Sequence, residues 1–142
     1  MQPPVTLTCS TGCPRYSETL PREPGSAATA RRLVRVAVAV WGLDEAADDG
    51  TLVVTELVGN AVRHARGHLI RVTVSRPAAA RVRIGVVDRS KARPGLMSPG
   101  TEDEGGRGLA LVAALAGSWG CDPLPWGKRV WAELHVAAQT RR

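Results

Sequence analysis

Apolar residues recur at intervals of three and four along residues 51–66, a spacing that predicts one buried face of an α-helix. This face consists of Val54, Leu57, Val58, Ala61 and Ala65. At about 100° per residue, Glu56 and Asn60 lie together on the opposite side of the helix, one turn apart. The helix is expected to begin near Glu45 and to end by Gly67. One of its faces can then pack against a sheet while the other offers a carboxylate and an amide to a ligand.

The remaining patterns predict two further helices and five strands. Residues 27–41 form a helix with Ser26 as its N-cap, and residues 108–116 form another. The expected buried side of the first of these helices consists of Leu33, Val36, Ala37 and Val40. Strands are expected at residues 16–20, 70–75, 81–87, 118–121 and 128–136. This order predicts an α+β fold, a two-layer α/β sandwich in which a mixed, mostly antiparallel sheet carries helices on one face.

The composition favours a single globular domain, because the chain has 142 residues and 44% of them are hydrophobic. With four Trp, one Tyr and no Phe, its core is expected to consist of Val, Leu and Ala. The net charge is +6, but the arginines form no long run and few aromatic residues are present for base stacking. The charge therefore favours a nucleotide or an acidic protein as partner over nucleic acid.

The cysteines and the hydropathy indicate a cellular compartment. Cys9, Cys13 and Cys121 are odd in number and lack the spacing of a zinc site, so free thiols in a reducing cytosol are expected. No apolar run approaches the roughly 18 residues of a membrane span, and the N-terminus lacks the pattern of a signal peptide. The protein is therefore expected to be cytoplasmic, with no membrane partner.

Two chemical features follow the helix that carries Glu56 and Asn60. The strand at residues 81–87 ends at Asp88, whose carboxylate can accept a hydrogen bond from the exocyclic amine of adenine, a donor that guanine does not present there. Residues 105–108 read Gly-Gly-Arg-Gly before a helix, where backbone N–H groups can hold phosphate. Residues 89–106 are rich in Pro, Gly and charge, which predicts a mobile surface loop.

In this order, the segments ELVGNAVRHA, VVDRS, GGRGLALV and GKRVWAEL resemble the Bergerat-fold ATPases, which include gyrase and the sensor histidine kinases. The chain looks most like the bacterial anti-sigma-factor serine kinases of that superfamily, and the resemblance extends over residues 16–136. It implies a histidine-kinase-like ATPase domain at residues 16–137. A flexible N-terminal arm at residues 1–15 and a C-terminal tail at residues 138–142 flank this domain.

The resemblance implies roles for individual residues. Asn60 matches the asparagine that holds Mg²⁺, and Glu56 matches the acidic residue that serves as the base in several members. Asp88 matches the aspartate that reads adenine. The residues implied near the phosphates are Arg63, Gly106, Arg107 and Gly108, the last three of which match the second glycine box that closes the lid. ATP and Mg²⁺ are therefore the implied cofactors.

One departure from the family pattern leaves two functions open. Where D-x-G-x-G is expected, residues 88–92 read Asp-Arg-Ser-Lys-Ala, without either glycine. The missing glycines favour a nucleotide-gated protein-binding module without kinase activity, whereas Glu56 favours a serine/threonine protein kinase, which is the preferred interpretation. The resemblance implies a sigma factor and an anti-sigma-factor antagonist as partners, and it allows a homodimer. Lys128 either reaches phosphate or faces solvent.

Overall fold

The computed structural model describes residues 5–8, 13–64, 66–89 and 104–136, with the backbone alone at residues 5–8 and 104–109. These residues form six strands and three α-helices. In chain order they are β1 (Val5–Thr8), β2 (Pro14–Pro21), α1 (Ser26–Trp41), α2 (Ala47–His64), β3 (Leu69–Ala78), β4 (Arg81–Asp88), α3 (Glu104–Leu115), β5 (Ser118–Leu124) and β6 (Gly127–His135). A 3₁₀ turn at Asp44–Ala46 precedes α2.

The strands form one sheet in the order β1-β2-β3-β4-β6-β5. Every strand pair in the described part of the chain is antiparallel. Against this sheet, α1 packs on β2 and β3, α2 on β4 and β6, and α3 on β5. The predicted α+β sandwich with helices on one face is confirmed, and α2 is the central helix of its layer. Within the described ranges, no helix is long and apolar enough to cross a membrane.

The core lies between the helices and every second residue of the strands. The strand residues that face the helices are Ile70, Val72, Val74, Val82, Ile84, Val86, Val130, Ala132 and Leu134, all of them buried. The predicted core of Val, Leu and Ala is confirmed for most positions, and Ile70 and Ile84 add to it. The opposite face, here called the polar face, carries the alternate residues of the same strands, among them Arg71, Thr73, Arg83, Arg129 and Trp131.

Helix α1 is buried on a different side from the one predicted. Leu33 and Ala37 are buried as expected, but Val36 and Val40 are exposed, Val40 by 62%, and Val34 and Val38 are buried instead. The difference arises because α1 contacts α2 as well as the sheet, which shifts its buried surface toward α2. Ser26 is not the N-cap either: its hydroxyl donates to the Pro21 carbonyl oxygen at 2.6 Å.

The N-terminal segment contains more structure than a flexible arm. Strand β1 pairs with β2 in antiparallel register, with Val5 opposite Ser17, because its β-branched and apolar residues suit a strand. The expectation of an arm over residues 1–15 is therefore wrong at Val5–Thr8. Cys13 is disulfide-bonded, so the expectation of free thiols is also wrong for this residue, whereas Cys121 forms no disulfide. Disulfide formation depends on the spacing of two Cα atoms in the fold, which cysteine counting does not reveal.

Candidate functional site

Asn60 occupies a buried position on the central helix. The residue is 2% exposed, and its side-chain oxygen Oδ1 has no hydrogen-bond partner among the described residues. Helix α2 lies between α1 and α3 and packs on β4 and β6, and these neighbours cover most of its surface except the side that carries Leu52 and Arg63. Most buried polar atoms in proteins are hydrogen-bonded, and an unpartnered buried acceptor therefore calls for an explanation.

Glu56 and Arg63 flank Asn60 on the same helix. Glu56 lies one turn earlier and is partly buried, whereas Arg63 is exposed. The Arg63 guanidinium folds back along the helix, where Nη1 lies 3.4 Å from the position that a Cβ on Gly59 would occupy. The Arg63 guanidinium therefore lies beside Gly59, the residue before Asn60. The sequence prediction of one polar line along α2 agrees with these positions.

The C-terminal end of α2 is held next to the end of strand β4. Arg22, which follows β2, donates from Nη1 to the Val62 carbonyl oxygen and from Nε to the Gly67 carbonyl oxygen, both at 2.7 Å. The first bond satisfies a carbonyl group that the end of α2 leaves without a partner, and the second fixes the turn that follows the helix. Gly67 adopts φ +83° and lies against the side chain of Arg89, the residue after β4. Asn60 and the C-terminal end of β4 are therefore at the same end of the sheet.

Asp88 ends β4 on the side that faces the helices, and it forms a buried ion pair with Lys128. The two residues are direct partners in the antiparallel β4–β6 register. Lys128 Nζ donates to Asp88 Oδ1 at 3.1 Å, and the side chains are 3% and 1% exposed. Lys128 therefore does not face solvent. The sequence had left open whether this side chain faces solvent or reaches phosphate. Lys128 is the nearest described cation to the predicted adenine-reading carboxylate.

Gly127 allows this pairing because it contacts the backbone of β4 directly. A Cβ at position 127 would overlap the Asp88 carbonyl oxygen and lie 2.9 Å from the Arg89 Cα. Any side chain there would force β4 and β6 apart at the point where Asp88 meets Lys128. Because Gly127 has no side chain, it lets β4 and β6 approach closely enough for Asp88 and Lys128 to pair.

The second glycine box lies within a helix rather than before it. Helix α3 begins at Glu104, four residues earlier than predicted, so Gly106, Arg107 and Gly108 belong to its first turns. Since the N–H groups of the N-cap and of the first three helical residues have no partner within a helix, the N–H group of Gly106 is still available to a ligand, whereas those of Arg107 and Gly108 are used within α3. The glycines concealed this helix start because glycine disfavours helices. Most of the predicted loop at residues 89–106 lies outside the described residues.

Residues 20–132, well over half of the chain, match the family model of the histidine kinase-like ATPase domain. The chain belongs to this family. The match begins at the end of β2 and ends within β6, so it contains Asn60, Asp88 and Lys128. Membership in the histidine kinase-like ATPase domain family implies ATP binding and a regulatory role. A search of curated proteins found no match.

Sequence reasoning missed the structural roles of Arg22 and Gly127, and it did not predict that Lys128 is buried. A signal for Lys128 was present, because one predicted strand ends at Asp88 and another begins at Lys128. If the two strands are antiparallel neighbours, these ends meet. Arg22 had no comparable signal, since its partners are carbonyl groups that any residue carries. Among the described residues, no group of three or more His, Cys, Asp and Glu is arranged to hold a metal ion.

Proposed function

We propose that this histidine kinase-like ATPase domain is a serine/threonine protein kinase of the anti-sigma-factor type, which transfers the γ-phosphoryl group of ATP to a serine of an antagonist protein. The observation that supports this most is the buried, unpartnered Oδ1 of Asn60 with Glu56 one turn away. The proposal extends to a cytoplasmic location and to a sigma factor as a second partner, with a homodimer as the assembly. These partners rest on the resemblance of the sequence motifs.

The surroundings of Asn60 fit a magnesium ion. An amide oxygen is a hard, neutral ligand, and Mg²⁺ is commonly held by one or two protein oxygens together with phosphate oxygens and water. Burying an acceptor without a partner costs about 1–3 kcal/mol, which an ion bound at Oδ1 would offset. When bound, Mg²⁺ neutralises charge on the phosphates. In this proposal Asn60 holds the ion, and the N–H group of Gly106, in the first turn of α3, binds phosphate together with Arg63.

The reaction also needs a base, and Glu56 is suited to this role. A carboxylate beside the phosphates can accept the proton of the attacking serine hydroxyl as the new P–O bond forms. Glu56 is only partly buried, so a hydroxyl from another protein can approach it. Chemistry of this kind depends mainly on positioning and on charge stabilisation, which a side chain on a packed central helix provides.

Asp88 is the proposed reader of the adenine base. A carboxylate has about four acceptor positions, so the bond from Lys128 to Oδ1 does not exhaust it. Lys128 holds the carboxylate in one orientation on the side of β4 that faces the helices. The exocyclic amine of adenine can then donate to Asp88, whereas guanine presents a carbonyl oxygen at the corresponding position.

Replacing Asn60 by Ala is expected to weaken binding of an unhydrolysable ATP analogue in the presence of Mg²⁺ by roughly tenfold or more, the size of a lost bond to a charged partner. Without Mg²⁺ the variant and the wild type should bind alike, because the amide acts through the ion. Calorimetric titration with and without Mg²⁺ measures both affinities. Leu52→Ala, at an exposed position of the same helix, is the control and should behave as wild type. If Asn60→Ala gains as much from Mg²⁺ as the wild type does, Asn60 does not hold the ion.

A second candidate function is a nucleotide-gated module without kinase activity. The family pattern has a glycine soon after the aspartate, but here Asp88 is followed by Arg89, whose side chain contacts Gly67. This departure from the family pattern favours the module. Incubation of the protein and its co-purifying partners with γ-labelled ATP distinguishes the two functions. Label on a partner serine supports the kinase. Nucleotide binding without label on any partner supports the module.

A further inference from the structure

A groove of about 480 Å³ lies on the polar face of the sheet, away from the helices. It is formed near one end of the sheet by residues of β2, β3, β4 and β6 that face away from the helices. Its lining includes Arg15, Arg71, Arg89, Arg129, Leu69 and Trp126. A cavity of this volume is in the range of specific ligand sites. Asp88 also borders the groove, but its side chain pairs with Lys128 in the layer between sheet and helices, and Asn60 does not line the groove. The groove therefore lies on the other face of the sheet from the proposed nucleotide site.

The arginines of the groove have few acidic partners. On the same face, Glu133 is engaged by Arg81 and Arg83 at 3.3 and 3.0 Å, about 13 Å or more along β4 from Val87. Arg129 lies 3.8 Å from Asp122, and both side chains are substantially exposed. In the described part of the chain, no salt bridge involves Arg15, Arg71 or Arg89. The groove therefore concentrates positive charge that the described residues do not neutralise.

Two of these arginines are held in place by their surroundings. Arg71 donates from Nε to the Ser17 hydroxyl at 2.8 Å, which fixes its guanidinium on the face of the sheet. Arg15 has its Nε buried without a hydrogen-bond partner among the described residues. A buried donor of this kind is costly unless an acceptor reaches it. Both features indicate a prepared anion site rather than a set of freely solvated side chains.

Large apolar side chains line the same groove. Trp126 is 52% exposed and Leu69 is 56% exposed, and both lie beside the arginines. Tryptophan and arginine together are enriched among the residues that dominate protein–protein binding energy. A purely ionic ligand would leave these apolar surfaces without a partner.

We propose that this groove binds an acidic segment of a partner protein in which carboxylates flank a large apolar residue. The carboxylates pair with the guanidinium groups, whose planar geometry favours two parallel hydrogen bonds to one carboxylate. The apolar residue packs on Trp126 and Leu69. Single-stranded nucleic acid fits less well, because Trp126 is the one aromatic residue among the described lining residues and successive bases need successive stacking partners. This interaction surface is independent of the proposed kinase activity.

The test measures fluorescence anisotropy of a labelled peptide with repeated Glu-Glu-Leu-Glu-Glu units, added to the full chain at low and at physiological salt. The wild type should bind this peptide more tightly than a peptide with Gln at every Glu, and salt should weaken the binding. Arg71→Gln should reduce affinity by about tenfold, the effect of one charged hydrogen-bonding partner. Trp126→Ala should reduce it without changing the dependence on salt. Arg35→Gln, which removes the same charge from an exposed position on α1, should have no effect.

Three outcomes would overturn the proposal. The first is equal binding of the acidic peptide and its Gln counterpart. The second is an equal loss of affinity in Arg71→Gln and Arg35→Gln, which would mean that net charge alone attracts the peptide. The third is that a labelled oligothymidylate binds more tightly than the acidic peptide and loses affinity in Arg71→Gln, which would assign the groove to nucleic acid. Circular dichroism of each variant verifies that it is folded, and both Arg71 and Trp126 are exposed, so their replacement leaves the core intact.

Discussion

Glu56→Gln is expected to reduce phosphoryl transfer to a serine-bearing partner by roughly 10²–10⁴-fold, the typical effect of losing a general base. The amide of Gln has nearly the same shape as the carboxylate, so the substitution removes basicity without opening a cavity in the partly buried surface of α2. Affinity for Mg²⁺–ATP should remain nearly unchanged because Asn60, not Glu56, is the proposed ligand of the ion. Transfer of label from γ-labelled ATP and calorimetric binding measure the two effects separately.

Asp49→Asn is the matched control for this experiment, because it makes the same chemical change at an exposed position of the same helix. It should leave both the transfer rate and the affinity unchanged. A Glu56→Gln variant with the wild-type rate would show that Glu56 is not the base. Equal losses of affinity and rate would instead make Glu56 a binding residue.

Lys128→Met is expected to lower the free energy of unfolding by about 3–5 kcal/mol, because it leaves the buried carboxylate of Asp88 without its cation. The side chain of Met has a similar length, so the loss comes from charge rather than from volume. Urea denaturation measures the change as a shift of the unfolding midpoint. Arg129→Met, at the next residue of β6, breaks only an exposed pair and should cost no more than about 1 kcal/mol.

A double variant separates the loss of the pair from the loss of either residue. Combining Lys128→Met with Asp88→Leu removes both charges, and replacing a buried ion pair by apolar residues is often close to neutral. The double variant should therefore recover most of the stability that Lys128→Met loses. Additive losses in the double variant would mean that the two residues act independently, contrary to the 3.1 Å contact between them.

The order of the elements was predictable because each repeats a periodic pattern over enough residues. Helix α2 and strands β3 and β4 were predicted within a few residues of their bounds, since their apolar spacing is regular. The buried side of α1 was predicted only in part. Valine occupies every second position of residues 34–40, so the sequence offers two possible apolar faces, and contact with α2 decides between them.

The residues of the candidate site also divide into those with a local signal in the sequence and those whose role depends on which strands are neighbours. Asn60 and Glu56 were found from spacing along a single helix, which is a local property. The Asp88–Lys128 pair and the contact of Gly127 depend on β4 and β6 being neighbours, although 40 residues separate the two charges. Local patterns do not contain that adjacency. The pairing of β1 with β2 was missed for a different reason, since the two strands are consecutive but β1 has only four residues, too few for a distinct periodic pattern.

The contact between Gly127 and the end of β4 also bears on mutational tolerance in the β5–β6 turn. Pro125 and Trp126 are exposed, so the fold itself should accept many residues at these positions. Position 127 differs, because every residue except glycine adds a Cβ that overlaps the Asp88 backbone. In a randomised library of this turn selected for folded protein, the two exposed positions should diversify while position 127 remains glycine. The most restricted residue of the turn would then be the one that contributes no side chain.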